Sequence, residues 1–263
     1  MDAGALAEVL VNGELEIVGR LTDASNVTVL AHATLDGATV DCVYKPIRGE
    51  RPLWDFPDGT LAGREVAAAL VARSAGWDCV PPTYMRDGGP LGAGMVQCWI
   101  DGTDSDSMVD LFAVRDVPKD WLPVLRAVDP AGDPVVLAHA DDRRLQLLAL
   151  FDLLVNNADR KGSHVLPVPD GPVYGVDHGL TMHVETKLRT VLWGWAGSPI
   201  PDDATEGLRR LHHGIAGQLG AELGDLLTIR ELSALRDRID RLLARRVFSR
   251  PPQHRTPIPW PPL

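Results

Sequence analysis

A chain of 263 residues with 45% hydrophobic content is long enough to bury a core, and one two-lobed domain accounts for it more simply than two independent ones. Its net charge of −10 argues against nucleic acid as a main partner and against adhesion to anionic membranes, since both need clustered Lys and Arg. The three scattered cysteines, Cys42, Cys79 and Cys98, have neither pairing nor metal spacing; together with the lack of a signal peptide or membrane-length apolar run, they point to the cytoplasm.

Residues 15–21, 27–35 and 39–46 read as strands, and Asp36-Gly37 joins the last two as a tight hairpin. Counting outward from that turn sets Lys45 opposite Thr28, beside the loop Thr22-Asp23-Ala24-Ser25-Asn26. Backbone N–H groups there, with Ser25 and Asn26, can cradle phosphate, although the loop lacks glycine and carries Asp23. The plain alternative for Lys45 is an ordinary edge-strand lysine. Residues 61–73 are helical in pattern, with Gly76 as the stop. Glu65 shares a face there with Leu61, Ala68, Ala69 and Ala72, an apolar setting in which a carboxylate needs a cation. Lys45 is one candidate and the neighbouring Arg64 another. Residues 94–102 form an apolar strand running into a glycine turn.

Residues 103–140, rich in Asp, Pro and Gly, are expected to form short helices and loops. Residues 141–156 then form a buried helix that delivers Asp159, with Leu145, Leu148, Ala149, Asp152 and Val155 on one face. The stretch from Asn156 to His164 reads Asn-Asn-Ala-Asp-Arg-Lys-Gly-Ser-His, and a short hairpin follows around Asp170-Gly171. Taking those two residues as the turn, 168 faces 173 and His164 faces Asp177. An acid, two cations and two metal-binding side chains thus converge. Such a set suits phosphoryl transfer, which needs positioning of an acceptor and neutralisation of phosphate charge more than covalent help. Asp159 would take or orient the hydroxyl proton, Asp177 would hold magnesium, and Arg160 or Lys161 would steady the transferred group.

Past Asp177, Trp193 and Trp195 read as core anchors in preference to an acceptor platform. Residues 202–243 contain two helical stretches, the second amphipathic through Leu232, Leu235, Ile239, Leu242 and Leu243. The proline-rich tail either docks in extended form through Trp260 or stays mobile.

Asp159-Arg160-x-x-x-His164, followed by a strand and Asp177-x-Gly179, resembles the catalytic loop and metal-binding aspartate of the phosphatidylinositol 3-/4-kinase-like branch of the protein-kinase-like fold. The whole chain is most similar to an actinobacterial group of uncharacterised proteins of that kind, from about residue 14 to 201. The resemblance implies an α+β, bilobal fold: an N-lobe over 1–100 with a small antiparallel sheet and one helix, a mainly helical C-lobe over 101–250 with the catalytic hairpin, and a tail over 251–263. It implies a Lys45 and Glu65 ion pair, a hinge at Gln97, Cys98, Trp99 and Ile100 that reads adenine, and ATP with Mg2+, or Mn2+, held by His164 and Asp177. Those kinases usually carry Asn where His164 stands; an imidazole is a softer ligand that loses its capacity when protonated.

The implied activity is transfer of phosphate from ATP to a hydroxyl on a protein or small molecule, a lipid acceptor being disfavoured by charge. A nucleotide-binding pseudokinase is the main alternative, opened by the glycine-free loop and by His164. AMP transfer would use the same residues. A metal-dependent phosphohydrolase would draw on Asp159, His164, Asp177 and His178, with His139, Asp141 and Asp142, but lacks tight ligand spacings.

Overall fold

The computed structural model describes residues 1–21, 26–101 and 107–263. Its first lobe is a five-stranded antiparallel sheet built from β1 (Glu14–Arg20), β2 (Val29–Leu35), β3 (Ala38–Pro46), β4 (Thr83–Arg86) and β5 (Gly94–Cys98) in the order β1-β2-β3-β5-β4. Asp36 and Gly37 both have positive φ, 50° and 81°, the backbone that lets a two-residue turn follow the twist of its strands. The register runs from Leu35 opposite Ala38 out to Val29 opposite Tyr44, which keeps the spacing that sets Lys45 across from Thr28. Because β3 lies between β2 and β5, Lys45 pairs with Met95 in the sheet interior, and the edge-strand alternative does not hold.

An N-terminal helix not expected from the sequence, α1 (Ala3–Asn12), starts at Asp2, whose carboxylate accepts the Ala5 N–H at 2.8 Å, and buries Val9 and Leu10 against the sheet. The next helix, α2 (Leu61–Ala75), is capped by Thr60 and ends at Gly76. It has no polar stripe because it is covered on nearly every side. Ala62 and Val66 meet Met95 of β5, while Ala67, Ala68, Val71, Ala72 and Ala75 belong to the core of the second lobe. Small alanines let both neighbours come close.

Residues 109–140 depart from the expected helices and loops: β6 (Val109–Ala113), β7 (Trp121–Val128) and β8 (Pro134–Ala140) form a three-stranded antiparallel sheet ordered β6-β8-β7. The prolines that argued against strands sit where a sheet tolerates them. Pro123 lies on edge strand β7 next to a register shift, and Pro134 opens β8. The turn between β7 and β8 is held by Asp129, whose Oδ1 accepts the N–H groups of Ala131 and Asp133, each at 2.9 Å.

The buried helix appears as α3 (Arg143–Val155), capped by Asp142 and closed by Asn156 in the left-handed region, φ 58°. The hairpin of β9 (Val165–Pro167) and β10 (Val173–Gly175) is one residue out of the expected register: Val173 pairs with Pro167, not with 168. Pro169 lengthens the loop to three residues, Asp170 takes the positive φ, and Val168 closes it by donating to the Pro172 carbonyl. Three helices follow, not two stretches: α4 (Asp202–Gly214), α5 (Gln218–Gly224) and α6 (Ile229–Arg245), the last opened by a capping box between Thr228 and Glu231.

The tail docks, but not through Trp260, which is 85% exposed. Ile258 and Pro259 are buried instead. The Pro257 carbonyl accepts from the Thr190 N–H and the Trp193 indole, and the Pro262 carbonyl accepts the Gly162 N–H at 2.8 Å. A Cβ on Gly162 would stand 2.6 Å from Leu263 Cδ2, so the terminal leucine packs directly over this glycine. Trp193 and Trp195 are core residues. No helix among the described residues is long and apolar enough to cross a membrane.

Candidate active site

Lys45 joins three parts of the chain. From β3 its ammonium donates to Glu65 Oε1 of α2 at 2.5 Å and to Asp177 Oδ1, just past β10, at 3.0 Å. Glu65 is the cation-seeking carboxylate on an apolar helix face, and Lys45 answers it. Its other oxygen, Oε2, accepts the His178 N–H at 2.8 Å, so both oxygens are used. The rival partner, Arg64, turns to the second lobe and pairs with Glu231. Burial pushes the Lys45 ammonium down, but Asp177 and Glu65 more than reverse this and its pKa is raised. Burial lifts the Glu65 carboxyl, with Lys45 pulling against it. Lys45 holds Asp177 well below the usual carboxylate range.

Despite the shifted register, His164 and Asp177 still meet. A turn over Gly162–His164 precedes β9, and Asp177 leaves β10 with φ 60°. Val176 N–H donates to the His164 carbonyl at 3.0 Å, and Asp177 Oδ2 lies 3.6 Å from His164 Nε2. Burial drives the His164 pKa down to about 4, so the imidazole is neutral near pH 7. Asp159 lies in the same loop, its carboxylate 3.3 Å from Lys161 Nζ and its N–H bonded to Asn157 Oδ1. Burial raises the Asp159 pKa, against the opposing pull of Lys161.

Arg160 has a different place from the one expected. It is wholly buried, and its guanidinium is committed to the scaffold: to both Asp152 oxygens, the His164 and Val176 carbonyls, and His178 Nε2 at 2.7 Å. Its donors are therefore spent within the scaffold, whereas Lys161, the other cation of the loop, sits beside Asp159. Asp152 is the hub of this scaffold, also accepting from Asn157 Nδ2 and Thr190 Oγ1. Sequence reasoning placed Asp152 on the buried face of α3 without giving it a role. A carboxylate on such a face, eight residues before an arginine, was the available signal.

Of the residues expected to face a nucleotide, Asn26, Gln97, Cys98 and Trp99 have internal partners. Ser25 lies outside the described residues, and Asn26 Oδ1 is occupied by the Arg51 N–H at 2.9 Å. The Gln97 side chain is buried, donating to Thr83 Oγ1 at 2.7 Å. The N–H groups of Cys98 and Trp99 donate to the Pro82 and Asp41 carbonyls.

His164 and Asp177 suit a divalent cation: the imidazole is neutral with Nε2 turned to the carboxylate, and Asp177 stays ionised. No cluster of three or more metal-binding side chains occurs among the described residues, so phosphate oxygens and water would have to complete the shell. The hydrolase set is dispersed. His139 stacks near Trp195 and accepts the Gly194 N–H, Asp141 accepts the Trp195 indole, Asp142 caps α3, and His178 faces Arg160.

A strand lysine paired to a helix glutamate and a loop aspartate, between a β-sheet lobe and a largely helical one, defines a kinase-like fold. Solved structures agree: the chain superposes on the Golgi casein kinase with manganese and ADP bound at a TM-score of 0.54 and 15% identity, covering 92% of this chain and 74% of that one. A second structure of the Golgi casein kinase gives 0.50 and 15%, over 93% and 74%. No family model matches the chain. It is 53% identical over 262 residues to protein Rv2133c of Mycobacterium tuberculosis, covering 96% of this chain and 94% of that protein, and it belongs to the same family.

Proposed function

We propose that this chain is an ATP-dependent phosphotransferase, an atypical kinase of the phosphatidylinositol 3-/4-kinase-like kind, acting on a hydroxyl of a protein or small molecule. The observation that carries the reading is Lys45 held between Glu65 and Asp177 at 2.5 and 3.0 Å. In this reading residues 1–100 cover the nucleotide and residues 101–250 carry the chemistry. Lys45, set by Glu65, holds the nucleotide phosphates. The acceptor hydroxyl gives its proton to Asp159, whose pKa burial raises toward that of a working base. The acceptor oxygen bonds to the terminal phosphorus, the bond to the bridging oxygen breaks, and its electron pair leaves with ADP. Lys161, the cation beside Asp159, steadies charge on the moving group.

His164 and Asp177 would hold the divalent cation, which neutralises phosphate charge when bound. An imidazole in that set favours manganese over magnesium more than an amide would, and the structural relative was solved with manganese. A net charge of −10 favours a soluble acceptor over a membrane lipid. Thermal shifts with ATP and Mn2+ or Mg2+, followed by turnover assays, test the reading. Asp177→Asn is expected to abolish metal-dependent nucleotide binding, and Asp159→Asn to keep binding while losing about 10²-fold or more in turnover. Full turnover in both variants refutes the assignment, and binding without turnover in the unmodified protein identifies a pseudokinase.

A further inference from the structure

In the second lobe, α6 and the docked tail enclose a cavity of about 370 Å³, a size that suits a small molecule. Arg238, Arg241 and Arg245 enter it from α6 at helical spacing, and Arg250, His254 and Arg255 from the tail; no acidic residue lines it. None of these five arginines forms an ion pair among the described residues, although acids outnumber bases in the chain by 36 to 26.

Arg238 is the telling member. Only 8% exposed, it donates from Nε to the Leu154 carbonyl at 2.8 Å and from Nη1 to the His183 carbonyl at 3.2 Å, while Nη2 is buried with no acceptor. Arg255 repeats the pattern: Nη1 reaches the Thr186 carbonyl and Nε is buried without a partner. A buried guanidinium with unmet donors and no carboxylate is costly to keep, and an anion in the cavity would relieve it. The guanidinium fork matches phosphate oxygens in pairs, and several forks around one space select a ligand with several phosphates.

We infer that this cavity is a second binding site, separate from the Lys45 site, for a compact soluble anion bearing two or more phosphate groups. Asn156 also lines it, and the same side chain donates to the His183 and Glu185 carbonyls and accepts the Lys187 N–H. The segment so held continues to Arg189, whose carbonyl accepts the Arg160 N–H of the loop carrying Asp159. An anion here would fasten the tail and α6 to the segment that braces that loop.

Calorimetric titration with sodium tripolyphosphate in the presence of a metal chelator tests the inference. The unmodified protein and Lys45→Met are expected to bind alike, with affinity falling as salt rises. Arg241→Ala/Arg245→Ala is expected to bind about tenfold or more weakly, because it removes two charge-assisted contacts. Arg230→Ala/Arg236→Ala, which removes the same charge from exposed positions of α6 that do not line the cavity, is expected to bind normally. Lack of binding to the unmodified protein, equal loss in both double variants, or loss in Lys45→Met would each overturn the assignment.

Discussion

Glu65 has two oxygens and two partners, and neither can be spared without consequence. Oε1 neutralises Lys45 and Oε2 accepts the backbone N–H of His178, so one side chain fixes both the strand lysine and the residue after Asp177. In Lys45→Met the carboxylate loses its cation while remaining buried. Its folded pKa, which burial already raises, would then lie further above the unfolded value; the stability it contributes is present below the unfolded pKa and is lost as pH rises through the folded one. Urea unfolding of Lys45→Met is therefore expected to show stability falling with rising pH above about 4.3, and Lys45→Met/Glu65→Gln to remove most of that dependence. Equal pH profiles for the two variants would contradict the pairing. This part of the site was legible because a lone acid among alanines on a helix face and a lysine counted from an Asp-Gly turn are local features. The fate of Arg160 was not, since a motif names a residue type without saying which way the guanidinium leaves the backbone.

The hairpin of β9 and β10 shows how far counting reaches. The turn was found, yet Pro169 added one residue to the loop and shifted the pairing, and His164 met Asp177 only because a short turn precedes one and a positive φ carries the other. The sheet of β6, β7 and β8 is poorly legible in the sequence for a related reason: proline weighs against a strand until it is known which strand is the edge. Least legible of all is the pair of Arg64 in α2 and Glu231 in α6, 167 residues apart and both nearly inaccessible. Arg64→Leu is expected to cost about 3–5 kcal/mol in chemical denaturation by leaving Glu231 buried and unpaired. Adding Glu231→Leu should recover a large share of that loss; a strictly additive double variant would show that the pair is not coupled.

Across the molecule the two lobes share a core, since the inner face of α2 packs on α4 and α5 and belongs to one cluster with Leu148, Phe151, Leu208 and Leu223. Scanning calorimetry is accordingly expected to give one cooperative transition, and two resolved peaks would show that the lobes unfold separately. Acid should weaken the whole assembly before its carboxylates titrate. Burial holds His139 and His164 near pKa 4, against an ordinary value of 6.5, so between those values the unfolded chain binds more protons than the folded one and stability falls as pH drops. His139→Gln is expected to lessen that slope by about one proton, measured by denaturation between pH 6.5 and 4.

The same anchoring of α2 has a dynamic corollary. Kinases commonly switch by moving the helix that bears the glutamate partner of the strand lysine. Here such a swing would part the buried Arg64 and Glu231 and open the alanine-packed seam at the same time. Movement of α2 is therefore opposed by a buried ion pair and by its share of the second lobe's core.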